Sequence, residues 1–123
     1  MNTNPLVLIA LAISHFEGHT GDLNMRNNNP GNLVFADQAN ATKDPTSIFA
    51  KFDTFEHGFD ALMRQILLDA TRNPLWSLRQ FVDSYAPPSA GNPNNANYAA
   101  AIAAALCCKT TDTLQTALHL NLP

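Results

Sequence analysis

Charge is scarce in this chain, with 7 basic and 10 acidic residues among 123, a formal net charge of −3 and no block of like sign. Without a basic stripe there is no electrostatic footprint for nucleic acid, and none is expected as a partner. Cysteine is nearly absent: the 2 present, Cys107 and Cys108, are neighbours. Adjacency excludes an ordinary long-loop disulfide and a four-ligand zinc knuckle, leaving a small buried pair at a helix end as the expectation. Long hydrophobic runs are missing too. The amino-terminal stretch Pro5 to Ile13 is too short to span a bilayer and has no basic flank of the signal-peptide kind. Ala10-Leu11-Ala12 faintly mimics a cleavage site, but cutting there would destroy the helix that leads to Glu17. The chain is therefore expected to be made in the cytoplasm without membrane insertion, as one domain over residues 1–123.

What the chain does have is asparagine, in Asn27 to Asn29 and again between Asn92 and Asn97. Such clusters suit turns, and they equally suit loops that hydrogen-bond neutral polar ligands. Between them the chain reads as mainly helical. Asn4 caps and Pro5 opens a first helix to about Glu17, stopped by Gly18, with Leu6, Ile9, Ala10, Ile13 and Glu17 at helical spacing and the other faces apolar as well. Pro30-Gly31 fits the centre of a type II turn. Leu33 to Phe35 and Ile48 to Asp53 read as the strands of a small hairpin, joined by a long polar loop from Asp37 to Ser47.

Asp53-Thr54-Phe55-Glu56 has the spacing of a capping box. It opens a second helix carrying Phe55, Phe59, Leu62, Met63, Ile66, Leu67 and Ala70, which ends before Asn73-Pro74. A third helix is expected from Leu75 to Tyr85, ended by Pro87-Pro88. After a polar loop from Ser89, a fourth runs from Asn95 to Cys107 with Tyr98, Ile102, Ala105 and Leu106 inward. A short fifth covers Asp112 to Leu118. The expected class is α+β, mainly α, with a small β-hairpin inserted after the first helix.

Glu17 stands out chemically. It is the only acidic residue between Met1 and Gly21, and it lies one helical turn beyond Ile13 at the negative end of the helix dipole. Desolvation and the dipole both favour the protonated carboxyl, the state a general acid needs. The alternative is a glutamate that merely hydrogen-bonds the asparagine loop. A metal reading of His15, Glu17 and His19 fails on spacing, because the zinc-protease helix places its glutamate directly after the first histidine and Gly18 would break the helix before His19. Neither a metal nor any other cofactor is expected. Cys107 or Cys108 with His119 as a thiol and base lies in the least motif-like part of the chain.

Five ordered pieces carry a resemblance. Phe16-Glu17-Gly18, then Arg26 to Leu33 (RNNNPGNL), then Phe49 to Asp53 with Gly58, then Tyr85-Ala86-Pro87-Pro88, then Tyr98 follow one another along the chain. In this the sequence resembles the small phage-type members of the lysozyme-like superfamily, whose lytic transglycosylases, muramidases and glucosaminidases cut peptidoglycan. The resemblance covers about Ile9 to Leu106. It implies a lysozyme-like fold, peptidoglycan glycan strands as substrate and action at the bacterial cell wall after release or delivery; a monomer is expected, although no sequence feature sets the oligomeric state.

Residue by residue, the resemblance assigns Glu17 as the catalytic acid and the Asn29 to Asn32 turn as the cleft wall facing it. It places Tyr85 near the scissile bond. Arg26 is a candidate for binding carboxylates of the peptide stem, and Tyr98 for contacting the saccharide, against a plain core role. A hydrolase usually needs a second carboxylate. Asp22, Asp37, Asp44 and Asp53 are the candidates and none stands out, which tilts the reading toward a single-acid transglycosylase. A non-catalytic wall-binding or virion module on the same fold is the competing class.

Overall fold

A computed structural model describes residues 4–17, 23–86 and 94–120. The chain is mainly helical with one two-stranded antiparallel sheet, in the order α1 (Pro5–Glu17), α2 (Leu23–Arg26), β1 (Ala41–Lys43), β2 (Ala50–Phe52), α3 (Phe55–Arg72), α4 (Leu78–Tyr85), α5 (Asn95–Leu106) and α6 (Leu114–Ala117). This is the mixed α+β class that the hydrophobic periodicity predicts. Among the described residues no helix is long and apolar enough to cross a membrane. Contacts cluster into two compact units, one of Met1–Ala12 with Ile66–Pro123 and one of Ile13–Gln65.

The unit of Ile13–Gln65 is built on loop and hairpin geometry. β1 and β2 pair with Ala41 opposite Phe52, Thr42 opposite Lys51 and Lys43 opposite Ala50. On its other side β2 is continued by an isolated bridge between Val34 and Phe49, flanked by Phe35 N–H to Ile48 O and Ala50 N–H to Leu33 O, both 2.9 Å. The expected pairing of 33–35 with 48–53 is thus reduced to that bridge, and the expected polar loop contains a strand. The reason lies in Asp37 (φ 57°) and Asn40 (φ 62°), whose left-handed backbones fold the loop back onto β2. Ile13, Leu33, Ala50, Phe52 and Leu62 are the buried apolar residues of this unit.

α3 begins one residue later than its capping-box spacing suggests. The Thr54 hydroxyl accepts from the His57 N–H at 3.1 Å and so caps the helix, while Asp53 reaches the His57 ring at 2.6 Å. Its inward stripe is Leu62, Ile66 and Ala70; Phe55 and Leu67, expected on that stripe, are 40 % and 42 % exposed.

In the other unit, Ser77 caps α4 with a reciprocal bond to Gln80, so this helix starts at Leu78 rather than at Leu75. Leu78, Phe81 and Val82 pack with Tyr98, Ala99, Ile102 and Ala103 of α5 and with Leu114, Ala117 and Leu118 around α6. Ala105 is exposed and Leu106 half-buried, because the inward face of α5 runs through Asn95, Tyr98, Ala99, Ile102 and Ala103. α5 ends on Cys107 in the left-handed conformation (φ 55°), with Cys108 N–H donating to Ala103 O at 2.9 Å. Holding this helix-terminating turn leaves Cys107 exposed and Cys108 half-buried, not the buried pair expected. α1 likewise has an outward side. Ile9, Ala10 and Ile13 are buried, and Leu11, about 200° round the helix from Ile9, is 52 % exposed.

Candidate active site

Asn4 opens α1, its side chain accepting from Leu6 N–H at 2.9 Å, and the helix runs unbroken to Glu17. Glu17 is half-buried as the last residue of α1. Gly18, expected to stop the helix, His19, whose metal reading fails on spacing, and Asp22, one of the four candidate second acids, lie outside the described residues, as do Pro87, Pro88 and the loop that follows them.

The chain resumes in α2, a single turn too short for periodicity to signal. Its end is folded into the asparagine loop by backbone bonds from Asn27 N–H to Leu23 O (3.0 Å), Asn28 N–H to Met25 O (3.2 Å) and Asn29 N–H to Asn24 O (2.8 Å). Asn28 and Asn32 both take positive φ, 50° and 52°, where asparagine is among the least penalised residues after glycine. Between them the expected turn closes by Asn32 N–H to Asn29 O at 2.9 Å, with Pro30 and Gly31 at its centre.

Asn29 is the keystone of this loop. Its side chain is 0 % exposed and donates to both Leu33 O and Ala50 O at 2.9 Å while accepting from Leu33 N–H at 2.9 Å. One amide thus ties the turn to the following segment and to β2. Asn28 adds a bond from its Nδ2 to Phe52 O (3.1 Å), and Phe52 N–H returns one to Asn27 O (2.8 Å).

The remaining support comes from α3. A Cβ on Gly58 would lie 1.8 Å from Asn28 O, 3.0 Å from Asn28 C and 3.1 Å from the Pro30 ring, so the helix approaches the loop through the missing side chain. The conspicuous glycine of the sequence pattern has a physical job here. The turn is consequently held from α2, β2 and α3.

Three other asparagines of the loop are left with open valences. Asn24 Nδ2, both amide atoms of Asn27 and Asn32 Oδ1 are buried without a hydrogen-bond partner among the described residues. Asn27 is 1 % exposed, so its amide is costly where it stands unless water or a ligand satisfies it. The sequence marked these residues only as a cluster; which of them serve the backbone and which stay open follows from the bonds alone.

The acids near the loop are occupied or exposed. Asp44 is buried and held below the usual carboxylate range chiefly by the Ser47 hydroxyl, helped by Thr46, with Arg26 and Lys51 nearby. Asp53 is lowered chiefly by its bond to His57, whose own pKa is raised by the same bond. Asp37 is exposed in its left-handed turn. Arg26 is exposed at the end of α2, with no ion pair among the described residues.

Glu17, Arg26, Asn29 and Asn32 therefore share the unit of Ile13–Gln65, whereas Tyr85 and Tyr98 belong to the other. Tyr85 is half-buried at the end of α4 with its ring 5.7 Å from that of Phe81. Tyr98 is 2 % exposed, a packing position within α5. No protein-family model, curated protein or solved structure matches the chain.

Proposed function

We propose that this chain is a peptidoglycan-cleaving glycosidase of lysozyme-like fold, in which Glu17 protonates the glycosidic oxygen of the β-1,4 bond. The observation that carries the reading is that one compact unit holds both half-buried Glu17, the last residue of an otherwise acid-free helix, and a turn, Asn29 to Asn32, locked by the Asn29 amide and by Gly58. A glycosidase wants these two things, a proton donor and a cleft wall that does not yield when a sugar strand is pressed against it.

The proposed route uses a single carboxylate. Asp44 is bonded by Ser47 and Thr46 and Asp53 by His57, Asp37 is exposed and Asp22 lies outside the described residues, and Glu17 acts in both halves of the reaction. In the first half its proton goes to the leaving oxygen as the bond to the anomeric carbon breaks. In the second its carboxylate takes the proton of the muramyl 6-hydroxyl as that oxygen closes on the anomeric carbon, giving a 1,6-anhydro product. Asn29 is then a positioning residue, and half-buried Asn32 at the end of the turn is the member proposed to touch substrate. Tyr85 remains the candidate for the aromatic near the scissile bond, and exposed Arg26 for stem carboxylates. Burial gives Tyr98 the packing role.

The test is clearing of purified cell walls by wild-type protein and by Glu17→Gln shown to be folded. Loss of a general acid costs about 10²–10⁴ in rate. Clearing by the variant at the original rate sinks the assignment, and wall pull-down without clearing by the wild type points to a binding module on the same scaffold.

A further inference from the structure

We propose that the outward face of the β1–β2 hairpin is a binding site for a short zwitterionic peptide, a carboxylate lying against Lys51 and an ammonium against Asp53. It rests on the reading that the substrate is peptidoglycan, whose glycan strands carry peptides of this class. The face follows from register. Thr42 stands opposite Lys51, and the next pair along is Asn40 with Asp53, joined by Asp53 N–H to Asn40 O at 3.1 Å. Phe52 is 2 % exposed, while Thr42 and Lys51, paired across the strands, and the flanking Asn40 and Asp53 are all exposed and border one depression.

These four residues, with Ala41 and Phe52, line an open pocket of about 350 Å³. That is the small end of the range for organic ligands, enough for a few residues of peptide and not for a folded partner. Lys51 makes no ion pair with any described residue, and the Asp53 carboxylate is held in place by the His57 ring. Along extended backbone the two residues stand about 7 Å apart at their Cα atoms. Between them Asn40 and Thr42 offer an amide and a hydroxyl to a peptide backbone. No exposed aromatic face lines the pocket, so it lacks the surface on which a sugar ring stacks.

The experiment titrates isotope-labelled full-length protein with a synthetic tetrapeptide that has one lysine and a free carboxyl terminus, followed by backbone amide shifts. Expected are shifts confined to residues 40–42 and 51–53, a dissociation constant in the region of ~1 mM and loss at high salt. Lys51→Glu should weaken binding about fivefold or more, and Lys51→Gln less, each with an otherwise unchanged spectrum. Absence of shifts, shifts located elsewhere, or equal shifts from a peptide-free chitin oligosaccharide overturn the inference. Wall clearing separates the two proposals. Clearing without peptide binding leaves the glycosidase reading and removes this one; peptide binding without clearing does the reverse.

Discussion

Replacing Gly58 by alanine is the sharpest structural perturbation available in the proposed site. In an ordinary helix the change would stabilise by about 1 kcal/mol, because glycine is the poorer helix former. Here the new methyl would stand 1.8 Å from Asn28 O, a backbone atom that no rotamer can move aside. A carbon and a carbonyl oxygen rest at roughly 3.3 Å, so loop and helix must part by about 1.5 Å. Overpacking of this kind costs ~1–3 kcal/mol. The displacement also strains the bonds from Phe52 N–H to Asn27 O and from Asn28 Nδ2 to Phe52 O, each with a net value of ~1 kcal/mol. The balance is a loss of about 2–4 kcal/mol, or roughly 10 °C in Tm for a chain of this size. Thermal and urea unfolding followed by circular dichroism measure it. An alanine variant as stable as the wild type, or more so, would refute the close approach and with it the account of how the turn is held.

The other expectations follow from single bonds. Asn29→Ala removes one donor from each of two carbonyls and orphans the buried Leu33 N–H, so urea unfolding should show a loss of ~2–4 kcal/mol, with wall clearing falling alongside. His57 should titrate above its ordinary value of 6.5 in an NMR pH series, and Asp53→Asn should bring it back down. The signs are opposite for the two partners. His57, raised in the folded state, supports folding below its unfolded pKa and ceases to as pH rises through its folded one; Asp53, lowered, supports folding above its ordinary 3.8 and ceases to as pH falls through its folded value. The pair therefore contributes most between those two ordinary values, and a stability profile unchanged by Asp53→Asn over that window would contradict it.

Much of the helical frame was legible because punctuation marks it. Asn4-Pro5 and Asn73-Pro74 bracket α1 and α3 so clearly that their observed ends, Pro5 and Arg72, fall where the signals put them. Capping was harder, since Asp53 and Thr54 are both competent caps and only the actual bond to His57 N–H chooses Thr54. β1 escaped notice because Ala41-Thr42-Lys43 has no apolar alternation; it is a strand by virtue of two left-handed residues, Asp37 and Asn40, that return the chain to β2.

In the site, sequence pointed to Glu17 and to the turn at Pro30-Gly31. It could not divide the labour among Asn24, Asn27, Asn28, Asn29 and Asn32. Identical side chains end up as a backbone clamp at Asn29 and an unsatisfied buried amide at Asn27, because their directions depend on φ values and on partners far along the chain. The tight contact at Gly58 is equally invisible locally, since the atom it makes room for is Asn28 O, a full hairpin away.

The central claim is that Glu17 supplies the proton for glycosidic cleavage, and mass spectrometry of the products released from purified cell walls tests it most directly. The account predicts muropeptides ending in 1,6-anhydro-muramic acid from the wild type and essentially none from folded Glu17→Gln over the same time. Release of the same products at the same rate by both proteins would contradict it.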